Sequence, residues 1–177
     1  MWYEWLIGAL LVYLLVCGGL YAMMEHNYKS GKVVALEAPR YKWVYYLLQF
    51  TWGLPMNIAG LIVAAVLLLR GRKPVPYHWD WCFEREGNWG LELGIFFIAP
   101  PNSIHTKDHE LGHGVQNVYL GWFTPVVVSL PSVTRFWWRK LKMRLGKPIT
   151  TGYDDIWFED QATKTGEKFR KERKEEA

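Results

Sequence analysis

Two histidines stand four residues apart, with a glutamate directly after the first, in Thr106-Lys-Asp-His-Glu-Leu-Gly-His-Gly-Val-Gln116. On a helix that spacing puts both side chains on one face, so His109 and His113 can aim two imidazoles at one cation. Glu110 projects beside them, near enough to take a proton from a water held there. The pattern is H-E-x-x-H, the arrangement by which zinc hydrolases activate water. A surface helix carrying two histidines would show the same letters. Here Thr106 is placed to cap the helix, and apolar Leu111, Val115 and Val118 back its polar face, which favours a packed helix from about Thr106 to Tyr119.

Two histidines do not hold a catalytic zinc alone, since three protein ligands plus water are usual. No histidine follows His113, which excludes the metzincin extension, and the downstream candidates for the third ligand are Asp154, Asp155, Glu159 and Asp160. Glu159 is preferred. It falls within a second helix restarting near Tyr153, flanked by Trp157 and Phe158, where an unpaired carboxylate would be costly to bury. Ala162, three residues on, is small enough to let that helix approach the metal helix. Gly112 and Gly114 each weaken a helix by about 1 kcal/mol against alanine, which implies that another segment comes close to the backbone there. Asp154 is a plausible cap for the second helix. His105 falls in the entering loop, lining a cleft rather than ligating. Gln116, on the face of His113, can bond a ligand or a substrate. Tyr153 or His105 can stabilise an oxyanion.

The elements that must carry these residues are those of a membrane protein. Half of the residues are hydrophobic and 11 are Trp, and the apolar ones cluster toward the N-terminus. Trp5 to Met24 is an unbroken apolar run long enough to cross a hydrocarbon core, and with Glu4 and no Lys or Arg before it, it reads as a retained span rather than a signal peptide. Trp43 to Leu69 is a second run. Gly53, Pro55 and Asn57 interrupt it, so it reads as one kinked span or an interfacial turn leading into a span, with Asn57 satisfying backbone near the kink. Next comes a β-hairpin, His78 to Phe83 against Trp89 to Ile98, turning at Glu84–Asn88. Its edge could bind a substrate backbone by strand addition. Leu120 to Val133, with Pro125 and Pro131, reads as a re-entrant or membrane-surface segment ending in Arg135-Phe-Trp-Trp-Arg-Lys140 at the headgroups. The expected fold is therefore a mainly α membrane protein. Two N-terminal transmembrane helices (1–73) precede a metal-site domain (74–166) that holds a small hairpin, a pair of metal-site helices and a membrane-contacting segment (120–138). A charged tail, frayed or disordered, closes the chain (167–177).

His109-Glu110-x-x-His113 with a later helical Glu159 resembles the gluzincin branch of zinc metallopeptidases. More closely, His109 to Gln116, Leu130-Pro131-Ser132 and Phe158-Glu159-x-x-Ala162 resemble small bacterial membrane proteins with an H-E-x-x-H-x-x-Q helix. The resemblance covers roughly residues 90 to 166. It implies a zincin-like helix pair, Zn2+ held by His109, His113 and Glu159, and Glu110 as general base. The gluzincin pattern has an acid four positions after the ligand glutamate; here that place is Thr163. His-Glu-Leu-Gly-His is also similar to intramembrane site-two proteases, and such a peptidase is the runner-up reading, although their Leu-Asp-Gly motif is absent and Lys107, Asp108 and Asn117 make this helix too polar for mid-bilayer.

The function expected is peptide hydrolysis by a membrane-anchored zinc enzyme, acting on a protein or peptide. The alternative from another class is a small membrane adaptor with a structural or degenerate metal site. The net charge of +4 is modest. Basic residues gather beside apolar runs, which suits lipid headgroups, and no nucleic-acid module is recognisable. Cys17 and Cys82 form no disulfide framework and no C-x-x-C. Arg70, Arg72, Lys73 and the later basic patch, against Lys29, Lys32, Arg40 and Lys42, favour a cytoplasmic site domain, and the resemblance implies a bacterial inner membrane.

Overall fold

The computed structural model describes residues 2–32 and 34–174. It is mostly helical, with one small sheet. Helix α1 (Trp2–Lys29) is long and apolar enough to cross a membrane. The second apolar run is not a single rod. It folds as α2 (Lys42–Phe50) and α3 (Leu54–Leu69), bent by 90° at the break. Pro55 sits in the first turn of α3, where its missing N–H costs nothing. Asn57 occupies the elbow as anticipated. Its amide donates to the Gln49 and Gly53 carbonyls at 2.8 and 3.2 Å, and its oxygen accepts from the Ile95 N–H at 3.0 Å. Only one side of α3 is exposed; Met56, Asn57, Gly60 and Ala64 are buried, and Ala64 packs with Phe83 and Ile98 of the sheet.

The sheet departs from the expected single hairpin. Strands β1 (Val75–Tyr77), β2 (Asp80–Glu84), β3 (Leu91–Leu93) and β4 (Phe96–Ala99) lie in the order β1-β2-β4-β3. The outer pairs are antiparallel, but β2 and β4 run parallel, in register from Trp81↔Phe96 to Glu84↔Ala99. The physical reason is Gly94. It adopts φ 75° and turns the stretch 89–98 back on itself, so what reads as one strand is a hairpin of its own. This leaves β3 at one edge.

Helix α4 (Ile104–Leu120) starts two residues before the expected Thr106. Ser103 is the cap, its Oγ accepting from the Thr106 N–H at 3.2 Å. His105 is therefore within the first turn, not in a loop. Helix α6 (Trp157–Lys174) crosses α4 closely. A side chain on Gly112 would run into the carbonyl of Ala162, and one on Gly166 into that of Asp108. The small residues at 112, 162 and 166 thus set the distance between the metal-site helices. The charged stretch from 167 does not fray. Phe169 is buried beside Leu111 and Val115, and Arg170 bonds Asp108 at 2.6 Å; of the expected tail, 175–177 lie outside the described residues.

From α4 to Arg144 the chain stays almost continuously helical, so the prolines of the expected re-entrant or membrane-surface segment do not interrupt it. A 3-10 turn (Gly121–Phe123) and a π-helical turn (Pro125–Ser129) lead straight into α5 (Leu130–Arg144). Pro125 and Pro131 each fall in an opening turn, so they start helices rather than break them. Val127 and Val128 pack with Trp157, Phe158 and Cys17, which ties the C-terminal half of α1 to the start of α6.

Candidate metal centre

Helix α4 supplies His109 and His113, and α6 supplies Glu159. The fold brings their donor atoms to one point. His109 Nε2 lies 3.0 Å and His113 Nε2 3.3 Å from Glu159 Oε2, and the two Nε2 atoms are 3.2 Å apart. All three residues are buried, and the group could hold a metal ion. For a tetrahedral ion with bonds of about 2.0–2.1 Å, neighbouring donors stand about 3.3 Å apart. The observed triangle matches that spacing.

Each donor is fixed from behind. His109 Nδ1 lies 2.8 Å from Thr163 Oγ1, and that hydroxyl donates to Asp154 Oδ2 at 3.3 Å. His113 Nδ1 donates to Gln116 Oε1 at 2.7 Å, while the Gln116 amide donates to the Phe158 carbonyl at 2.9 Å. Both imidazoles then carry their proton on Nδ1 and turn the Nε2 lone pair toward the centre. Ser132, from α5, donates to Glu159 Oε1 at 2.6 Å and leaves Oε2 for the histidines. Three lone-pair donors facing one another without a shared cation would repel. Without a metal, a proton takes that place. Burial lowers the His113 pKa, but the Glu159 carboxylate outweighs it and pushes the group up to about 9. Burial likewise raises Glu159, yet hydrogen bonds from His109 and His113 hold it well below the carboxylate range.

The centre opens on a cleft of about 440 Å³, a size suited to a small molecule or peptide segment. Its floor is α4, one wall is β3 with the preceding Asn88–Gly90, and another is α5. Glu110 lies against Gly90, where any side chain would displace it. Burial pushes the Glu110 carboxyl up to about 7, only partly offset by His109 and His113. Tyr153 and His105 line the cleft outside the donor triangle; burial raises the Tyr153 hydroxyl, Glu159 adding to it.

Of the other acids considered as ligands, Asp154 supports Thr163, Asp155 accepts from the Gly152 N–H at 2.6 Å, and Asp160 pairs with Lys164 at 2.7 Å. Thr163 thus links His109 to Asp154 through its hydroxyl. Gln116 bonds His113 and is fully buried. Sequence reasoning gave no role to Ser132, although Leu130-Pro131-Ser132 was the signal for it. Glu92 was missed altogether. It lines the cleft, its Oε1 accepts from the Gly94 N–H, and burial pushes it up to about 8 despite His113.

Fold and site together define a mostly helical protein with one apolar helix long enough for a membrane and a buried His109, His113, Glu159 group able to hold a metal ion. Comparison with family models, curated proteins and solved structures finds no match for the chain.

Proposed function

We propose that the protein is a membrane-anchored, zinc-dependent hydrolase that cleaves peptide bonds in the gluzincin manner. The observation that carries this reading is the donor triangle of 3.0, 3.2 and 3.3 Å lining an open cleft beside Glu110. Two imidazoles and one carboxylate are the donor set of catalytic zinc sites, which keep a further position free. When bound, zinc supplies a Lewis acid that polarises a carbonyl and brings the pKa of water down to about 7.

The remaining steps belong to the chain. Glu110 takes the proton from the attacking water and returns it to the leaving amine; a carboxyl pushed up to about 7 can do both near neutral pH. Thr163 and Gln116 keep each imidazole in the ligating tautomer. Tyr153, neutral because its hydroxyl is raised, offers an O–H to the oxyanion. A peptide substrate is favoured because the edge strand β3 borders the cleft, where an extended chain can add by backbone hydrogen bonds.

The anchor in this reading is α1. The elbow of α2 and α3 makes the second bilayer contact. At 16 residues, α3 is about 24 Å long, shorter than a hydrocarbon core of about 30 Å, and it offers lipid only its exposed side, which includes Ile58, Leu61, Ile62, Val66, Leu68 and Leu69. The charge pattern around Arg70–Lys73 favours a cytoplasmic site domain at a bacterial inner membrane.

The test is Glu110→Gln in the purified full chain. Zinc content should remain near that of the wild type, while hydrolysis of a quenched-fluorescent peptide library falls at least about 100-fold. Hydrolysis at the wild-type rate removes Glu110 from the mechanism. Tight zinc with no wild-type hydrolysis favours the adaptor reading, in which the ion braces α4 against α6.

A further inference from the structure

Helix α5 has two faces with different surroundings. Ser132 and Phe136 point toward the cleft and are half-buried. Leu130, Trp137, Trp138, Leu141 and Leu145 form the opposite stripe at helical spacing, and all are exposed, Trp137 and Trp138 at 56% each. None of the 15 residues of α5 is buried. An apolar stripe of this width marks a surface that something covers.

The charges around the stripe say what covers it. From 111 to 153 the chain has no Asp or Glu, and its six basic residues all lie in 135–147. Arg135 and Arg139 are spent on the carbonyls of 151–153, which pin α5 to the loop before α6. Lys140 and Lys142 lie over the rings of Trp137 and Trp138, at 5.2 and 5.7 Å. Arg144 and Lys147 extend the patch as exposed groups. Tryptophans with cations beside them are the signature of a helix lying at the headgroup level of an anionic bilayer. A second copy of this chain would instead set like charges against each other.

We infer that α5 seats on the surface of an anionic bilayer through Leu130, Trp137, Trp138, Leu141 and Leu145, with Lys142, Arg144 and Lys147 on lipid phosphates. Because the other face of α5 walls the cleft, this seat holds the cleft mouth at the membrane surface. If the hydrolase reading stands, the substrates are then segments of membrane proteins just outside the bilayer. The lipid seat itself does not depend on that reading.

The test places a spin label on Leu141→Cys in the full chain, reconstituted in nanodiscs. The native Cys17 and Cys82 are buried, so the introduced thiol takes the label. Collision with oxygen relative to a water-soluble nickel chelate should rise roughly fivefold in discs containing phosphatidylglycerol over discs of phosphatidylcholine alone. The combined Lys142→Glu, Arg144→Glu, Lys147→Glu variant should abolish that difference. Equal ratios in the two compositions, or a label shielded from both reagents as at a protein interface, overturn the inference. The two-lipid comparison stands whether or not the charge variant folds. Since it reads the position of α5 and not turnover, its failure is separable from failure of the Glu110→Gln test.

Discussion

Helices α4 and α5 are of similar length and invert the usual relation between polarity and burial. In α4 the run Lys107–Val118 is buried without a break, and it includes a lysine, an aspartate, a glutamate, two histidines and two amides. In α5 nothing is buried, although it carries Phe136, Trp137, Trp138 and several aliphatic residues. The difference shows what each helix needs. Charged and amide groups of α4 outside the cleft meet partners from other elements: Lys107 meets Glu84 at 2.7 Å, Asp108 meets Arg170 and Tyr77, and the Asn117 amide nitrogen donates to Gln49 at 2.6 Å, although its oxygen stays buried without a partner among the described residues. Buried polar groups are tolerated when paired in this way. Helix α5 instead leaves its apolar stripe exposed.

The comparison is sharpest where a partner in α4's network is removed. Glu159→Gln should cost about 3–5 kcal/mol, the range for breaking a buried ion pair, and should abolish stoichiometric zinc, read by melting in detergent and by metal analysis. Wild-type stability in that variant would mean that the pairing around α4 contributes little.

Crowding the helix contact comes next. Gly112→Ala should lose about 2–3 kcal/mol, because the added carbon meets the Ala162 carbonyl. Gly8→Ala in α1, where nothing lies within 4 Å, should leave stability unchanged or raise it by up to about 1 kcal/mol. Equal outcomes would show that the close crossing is not what fixes the site.

Chelation gives a smaller effect with a definite sign. The His113 pKa is raised in the metal-free fold to about 9, above the unfolded value near 6.5. That protonation stabilises the fold fully below pH 6.5 and is lost as pH rises through 9. Chelator-treated protein should therefore melt roughly 5 °C lower at pH 9.5 than at pH 6.5. Zinc-loaded protein should not show this loss, because the ligating imidazole is already neutral. A parallel loss with zinc bound would argue against His113 as ligand.

The smallest effect belongs to α5. Trp138→Ala should change stability in detergent by less than about 0.5 kcal/mol, as for other exposed positions. A loss above about 2 kcal/mol would show that α5 packs on protein, and the contrast with α4 would fail.

How much was legible follows from the range of each interaction. The apolar run of α1 and the helix around His109 and His113 rest on composition and spacing within a few residues, and the structure has a helix at each, α4 beginning two residues earlier than expected; Glu159, chosen for its setting beside Trp157 and Phe158, stands with both histidines in a group that could hold a metal ion. The elbow at Gly53–Asn57 was also visible, since proline and glycine act locally. The parallel pairing of β2 with β4 was not, because it depends on Gly94 turning a strand that composition alone shows as continuous. Nor was the helical path through Pro125 and Pro131, since a proline that breaks a helix and one that opens it look alike until the register is known.

Sequence alone thus determined which residues could hold a cation and which segments avoid water, because both follow from side-chain chemistry at short spacing. Tertiary structure decided the rest. It alone brought an acid 46 residues beyond His113 to 3.3 Å from that imidazole, and it joined Thr163 to Asp154 behind His109. It also left α5 uncovered. Those outcomes depend on how closely α4 and α6 cross, and that distance is set by small residues facing each other across the chain.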